Sequence, residues 1–143
     1  MKFSLFIDKS REEEVMVFAH EKNELIEDIE KLVSAQNHTL IGYTDNEAVV
    51  IDTSKAECFI VESNKVFVVT EDGKFRLKER LYQIEKILPG HFIKINQSCI
   101  CNIRSIRKFD VSISGSLTVI FKSGYRDYVS RRNVKNVKER LGI

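Results

Sequence analysis

Missing from this chain is any apolar run near the roughly 20 residues that a helix needs to cross a bilayer, which argues against a helical membrane span. The opening MKFSLFIDKSREEE turns acidic before the apolar core of an export signal can form, so a cytoplasmic location is expected. Cysteine is scarce. Cys58, Cys99 and Cys101 cannot build a disulfide framework. Cys99 and Cys101 stand two apart in a strand-like stretch, share a face, and read as small packing groups. One C-x-C without further ligands is no zinc pattern, and His20, His38 and His91 each stand alone, so neither metal nor cofactor is expected. The sequence has no GxGxxG, P-loop, G-x-S-x-G or HExxH. The acidic pairs Glu12–Glu14 and Glu27–Asp28 lie in solvated contexts, where nothing splits their pKa values for acid–base work. These absences argue against an enzyme and against a small-molecule substrate. Pro/Gly-rich linkers, internal repeats and low-complexity segments are also missing.

What is present is an ordinary globular composition, 43% hydrophobic and 31% charged, with charge unevenly spread. Residues 1–52 hold 5 Lys+Arg against 12 Asp+Glu, a net of −7. Residues 53–89 hold 7 against 6, and residues 90–143 hold 11 against 3, a net of +8. A basic end of this kind meets a polyanion. Charge alone does not separate DNA from RNA or an anionic membrane.

Hydrophobic periodicity divides the chain near residues 34–38. Before that point, FSLFI (3–7) and VMVFA (15–19) read as two short strands. A helix follows, with Leu25, Ile26, Ile29, Leu32 and Val33 at helical spacing and Asn23 as its cap. Residues 1–38 are thus expected to form a small β-β-α segment. From Thr39 the period changes. TLIGY, AVVID, CFIVES, KVFVVT, KFRLK, FIKIN, CICNI, VSISG, LTVIF and YRDYVS read as strands, with Asp72-Gly73 and Ser123-Gly124 suited to tight hairpins. Leu81, Ile84, Ile87 and Leu88 mark a helix that Pro89-Gly90 end, and a last helix starts at Ser130 with Val134, Val137 and Leu141 inward. The expected fold of 39–143 is mainly β, sandwich-like, with accessory helices.

Two polar segments stand out. In FIKINQSC, alternation buries Ile93 and Ile95 and turns Phe92, Lys94 and Asn96 the other way. Asn96 and Gln97 then offer paired donors and acceptors of the kind that read adenine in a major groove, with Lys94 and Ser98 toward phosphates. Taken alone, the stretch also suits an ordinary surface loop. In YVSRRNVKNVK, Arg131 and Arg132 fall in the first turn of the last helix. Cations there oppose the helix dipole, a conflict that an arriving anion relieves. Arg131, Lys135 and Lys138 line one face, which equally suits a merely wet basic helix. Lys65, just before VFVV, adds a third contact.

At this point the residues resemble the LytTR DNA-binding family. The resemblance runs from about Thr39 to the end. It rests on Phe92, Lys94, the Asn96-Gln97-Ser98 loop, Cys101-Asn102, Ile106 and the Val129-Ser130-Arg131-Arg132 step. It implies an elongated fold of packed β-sheets whose loops enter successive major grooves of double-stranded DNA at promoter repeats, often as two copies. Carried over by position, Lys65, Asn96, Gln97 and Arg132 would read bases, and Lys94, Ser98 and Arg131 would hold backbone. Asn133 and Lys135 belong to the same helical start. A histidine is usual in the family where this chain has Asn96, which puts the preferred sequence in doubt, and Cys101 replaces a more usual valine. The N-terminal 38 residues are too short for a receiver domain. The resemblance implies a homodimer, at least on DNA, and a membrane-bound inhibitory partner. Two other function classes remain open: a non-specific or RNA-binding β-module, which would want exposed aromatics, and a protein-interaction adaptor.

Overall fold

A computed structural model describes residues 1–35 and 39–143; residues 36–38 of the expected boundary at 34–38, His38 among them, lie outside the described residues. The element order is α1 (Glu24–Ala35), β1 (Leu40–Tyr43), β2 (Ala48–Ile51), β3 (Cys58–Glu62), β4 (Lys65–Thr70), β5 (Gly73–Leu77), α2 (Leu81–Ile87), β6 (Phe92–Asn96), β7 (Cys99–Asn102), β8 (Ile106–Val111), β9 (Leu117–Phe121), β10 (Arg126–Val129) and α3 (Arg131–Leu141). Seven strands form one antiparallel sheet in the order β2-β1-β5-β4-β3-β7-β6, and three form a second in the order β10-β9-β8.

The large sheet is buried on two sides because its strands carry apolar residues at both parities. One face, with Phe59, Val66, Val68, Leu77 and Ile100, packs under α2 through Leu81, Ile84 and Leu88. The other, with Cys58, Ile60, Ile93, Ile95, Cys99 and Cys101, packs against Leu117, Val119, Phe121 and Val129 of the small sheet and Val137 of α3. The three cysteines are free and buried. The hydrogen bond with Cys58 and burial push the Cys99 thiol well above its ordinary range, and burial does the same to Cys101. They act as small packing groups.

Two expectations are corrected. Residues 3–7 and 15–19 are not strands: the whole stretch 1–23 is exposed and without regular structure. Two strands facing only each other across a long acidic connection bury too little to form a stable hairpin. Of the expected β-β-α segment only the helix forms, capped as expected by Asn23, whose side-chain oxygen accepts from the Ile26 N–H at 3.1 Å. VSISG is also not a strand; the strand before it is Ile106–Val111, and 112–116 is the turn back into β9. That strand carries Arg107, Lys108 and Asp110 because it is the edge of the small sheet, where charge discourages further pairing.

The two sheets are fastened at opposite ends. At one, the Glu57 carboxylate, only 1% exposed, accepts from the N–H (2.9 Å) and the hydroxyl of Ser123 in the β9–β10 turn. At the other, the Ser130 N–H donates to the Ile95 carbonyl (2.8 Å).

Candidate nucleic-acid interface

Three segments far apart in sequence meet at this second end. The first is the β3–β4 turn. Glu62 faces Lys65 in register, and the two residues between them, Ser63 and Asn64, both have positive φ (50° and 61°). That is the twist that a two-residue hairpin demands, and it leaves Lys65 exposed as the first residue of β4. The second is the β6–β7 turn, where Gln97 and Ser98 are exposed between the paired Asn96 and Cys99. The Val61 N–H donates to the Ser98 carbonyl at 2.9 Å, which sets this turn beside the first. The third is the start of α3, where Arg131 and Arg132 are exposed in the first turn. None of Lys65, Lys94, Arg131, Arg132 and Lys135 forms an ion pair among the described residues.

Asn96 is placed otherwise than alternation predicts. The register of β6 shifts between Lys94 and Asn96. This bulge frees the Ile95 carbonyl for Ser130 and turns both Ile95 and Asn96 inward. Asn96 is 2% exposed. Its amide nitrogen donates to Asp127 Oδ1 (3.0 Å) and to the Tyr128 carbonyl (2.8 Å), and its oxygen accepts from the Ser98 N–H (2.8 Å). Both amide N–H groups are engaged and the oxygen already holds one donor, so Asn96 fastens the β6–β7 turn to the strand that leads into α3. Phe92, also expected outward, is buried in the core under α2. Asp127 gathers further groups: the Tyr128 N–H (2.8 Å) and the Tyr125 hydroxyl (3.5 Å). Burial and then this carboxylate push the Tyr125 hydroxyl up from its ordinary value.

Lys94 is exposed on edge strand β6, and Lys135 is exposed one turn into α3. Asn133 is half-buried and donates to the Ser130 hydroxyl (2.8 Å), while Ser130 makes no side-chain cap to the backbone. The first N–H groups of α3 are thereby left without a side-chain acceptor. The sequence reading missed the serine-rich turn 112–116. The register Val129↔Leu117↔Val111 puts it at the same end of the small sheet as Ser130, with Ile113 fully exposed. Gly115 within VSISG is a turn residue that signals a reversal, but it says nothing of where that turn lies relative to the others. Among the described residues no group of acidic, histidine and cysteine side chains is arranged to hold a metal ion, and no helix is long and apolar enough to cross a membrane.

The model of the LytTr DNA-binding domain family matches residues 46–142. The chain belongs to the LytTR family. Two relatives, from Staphylococcus aureus strains MSSA476 and MRSA252, are each 38% identical over 146 residues, covering 100% of this chain and 99% of their own; both bear the name of uncharacterized HTH-type transcriptional regulators. The solved LytTr DNA-binding domain of a Bacillus cereus response regulator superposes with a TM-score of 0.68 at 22% identity, over 73% of this chain and 97% of that one, which establishes the fold. The LytTR fold bears on the relatives' name: here α1, α2 and α3 are separated by strands, so no two of them form a helix-turn-helix. The family is one of DNA-binding domains, not of enzymes.

Proposed function

We propose that this LytTR protein is a cytoplasmic, sequence-specific regulator of transcription that inserts its turns into the major groove of duplex DNA at promoter repeats. The observation that carries the reading is the convergence of Lys65, Gln97, Ser98, Arg131 and Arg132, all exposed and free of ion pairs among the described residues, on one end of the fold. Lys65, Gln97 and Arg132 read bases; Ser98, Arg131, Lys94 and Lys135 hold phosphates; Asn96 and Asn133 position the elements that carry them. An arginine in the groove suits guanine and a glutamine suits adenine. The relatives' names support a regulator.

The division at residue 38 is part of the same reading. Residues 1–38 make a protein-contact unit, and 39–143 the DNA-binding domain. Among the described residues, the first 33 hold 12 of the 18 exposed large hydrophobic side chains, Phe3, Phe6 and Phe18 included. Their acidity suits neither DNA nor an anionic membrane surface, which leaves a protein: a second copy in a homodimer on the repeats, or a membrane-bound inhibitory partner. The alternative of a single-strand or RNA-binding module is disfavoured because Phe67, Phe75 and Tyr125 are half-buried and Phe92 is buried, leaving no stacking platform of exposed rings among them.

Selection from a randomised duplex pool, repeated with Arg132→Ala, tests this. A recovered repeated motif, whose binding the variant weakens by about 1–3 kcal/mol with relaxed preference at one position, supports base reading. Motif-free binding that the variant hardly alters reduces the function to a grip on phosphates.

A further inference from the structure

The large sheet has an uncovered basic strip that, Lys65 apart, none of these roles uses. On the face that carries Cys58 and Ile60, the small sheet covers the β3, β7 and β6 side, whereas the β4, β5 and β1 side is left open. Here Phe67 and Tyr43 are half-buried, and Lys65, Lys74, Arg76 and Lys78 are exposed. Tyr43, Thr44, Asp45, Lys65, Phe67, Lys74 and Arg76 line a groove of about 480 Å³. Register fixes the layout. Arg76 lies between Phe67 and Tyr43 on the neighbouring strands, and Val66↔Leu77 sets Lys78 beside Lys65. The aromatic rings hold two of the cations upright: the Lys74 amine stands 4.8 Å from the Phe67 ring centre, and the Lys78 amine 4.8 Å from that of Tyr43. Four cations thus meet two carboxylates, Glu62, which pairs with Lys74, and Asp45. Lys65, Arg76 and Lys78 form no ion pair among the described residues.

We propose that this strip is a second DNA contact, a track for the phosphate backbone of the duplex flanking the bases that the turns read. The proposal rests on the DNA-binding reading above and extends its footprint. Continuity argues for it, because Lys65 belongs both to the converging turns and to the groove. So does charge, since an unpaired guanidinium between two rings, with ammonium groups on either side, suits the singly charged oxygens of a sugar–phosphate chain. The strip spans two strand spacings beyond β4, roughly 10 Å. At about 3.4 Å of rise per nucleotide, that adds about three base pairs on one side of the motif. The contact is blind to sequence, because it reaches backbone and not base edges.

The test uses the full chain with duplexes that hold one selected motif and carry flanks lengthened a base pair at a time on either side. The parent should gain affinity when the flank on one side reaches about three pairs. The double variant Arg76→Gln, Lys78→Gln should lose that gain and keep its base preference. Its slope of log affinity against log salt should be shallower by about 1.8, twice the roughly 0.9 per phosphate contact. Both side chains are exposed, and the melting temperature checks that the fold is kept. A parent that binds its motif but ignores flank length, with a double variant of unchanged slope, overturns the track and leaves the function standing. A parent that binds no duplex overturns the function and the track together.

Discussion

VMVFA at 15–19 and KVFVVT at 65–70 are almost the same text. Both are short, apolar and β-branched, and each follows an acidic or polar turn. Yet the second is a central strand whose Val68 is fully buried, while in the first Val15 is 60% and Phe18 87% exposed. The difference lies in the neighbours. β4 has β3 on one side, reached through the two-residue turn Ser63-Asn64, and β5 on the other, reached through Glu71 and Asp72. Short turns make these pairings cheap in chain entropy, and α2 then buries one face of the sheet. VMVFA has one candidate partner, FSLFI, seven residues away, and among the described residues its side chains are left exposed. A β-favouring segment becomes a strand only where its ladder and its face both find partners.

Substitutions can break this contrast, beginning with the largest effect. Phe59→Ala, in the fully buried core, should cost about 3–5 kcal/mol in denaturant unfolding, whereas Phe18→Ala should stay within about 0.5 kcal/mol; equal losses would mean that the N-terminal stretch is packed after all. Asn96→Ala should cost about 1–3 kcal/mol by stranding Asp127, the Tyr128 carbonyl and the Ser98 N–H. It should also weaken DNA binding, while Arg132→Ala weakens binding with an unchanged melting temperature. An Asn96 variant as stable as the parent would return that residue to the readers. Removal of residues 1–22 should leave the unfolding energy of the remainder within about 0.5 kcal/mol in dilute protein, and a loss that grows with protein concentration would reveal a second copy on that segment. The smallest effect concerns His91. Burial and then the Arg104 charge lower its pKa from the ordinary 6.5. Its contribution is therefore full above that value and lost as the pH falls through it and below. His91→Gln should flatten this part of the stability profile, and an unchanged slope in acid would show that the ring is fully solvated.

Much of the fold was legible in the amino-acid pattern. Among the described residues, nine of the ten strands, the three helices and the Asn23 cap follow from spacing and turn residues. β8 did not, because the outward charges of an edge strand hide the alternation that marks it. The converse error, two strands at the N-terminus, arose because alternation carries no information on whether a partner exists. At the site, Lys65, Gln97, Ser98 and the arginine pair fall where a polar turn or helix start places them. Asn96 was misjudged for a physical reason. A satisfied buried amide and an exposed reading amide look alike in sequence, and a one-residue bulge decides between them. The Arg76 strip was invisible for a similar reason, since Lys74, Arg76 and Lys78 alternate like any solvated face until the register brings Phe67 and Tyr43 alongside.

The paired fastenings of the small sheet, Glu57 to Ser123 at one end and Asn96 and Ile95 to the 127–130 segment at the other, make the molecule a fixed gauge. The span from the Gln97 turn to the start of α3 is set by a taut crosspiece and not by a slack loop. If the Gln97 turn and the start of α3 grip DNA as proposed above, a target with one base pair inserted between the two gripped steps meets a spacing already fixed by these hydrogen bonds. Either the duplex would have to twist to close the gap, or one of the two grips would stay empty.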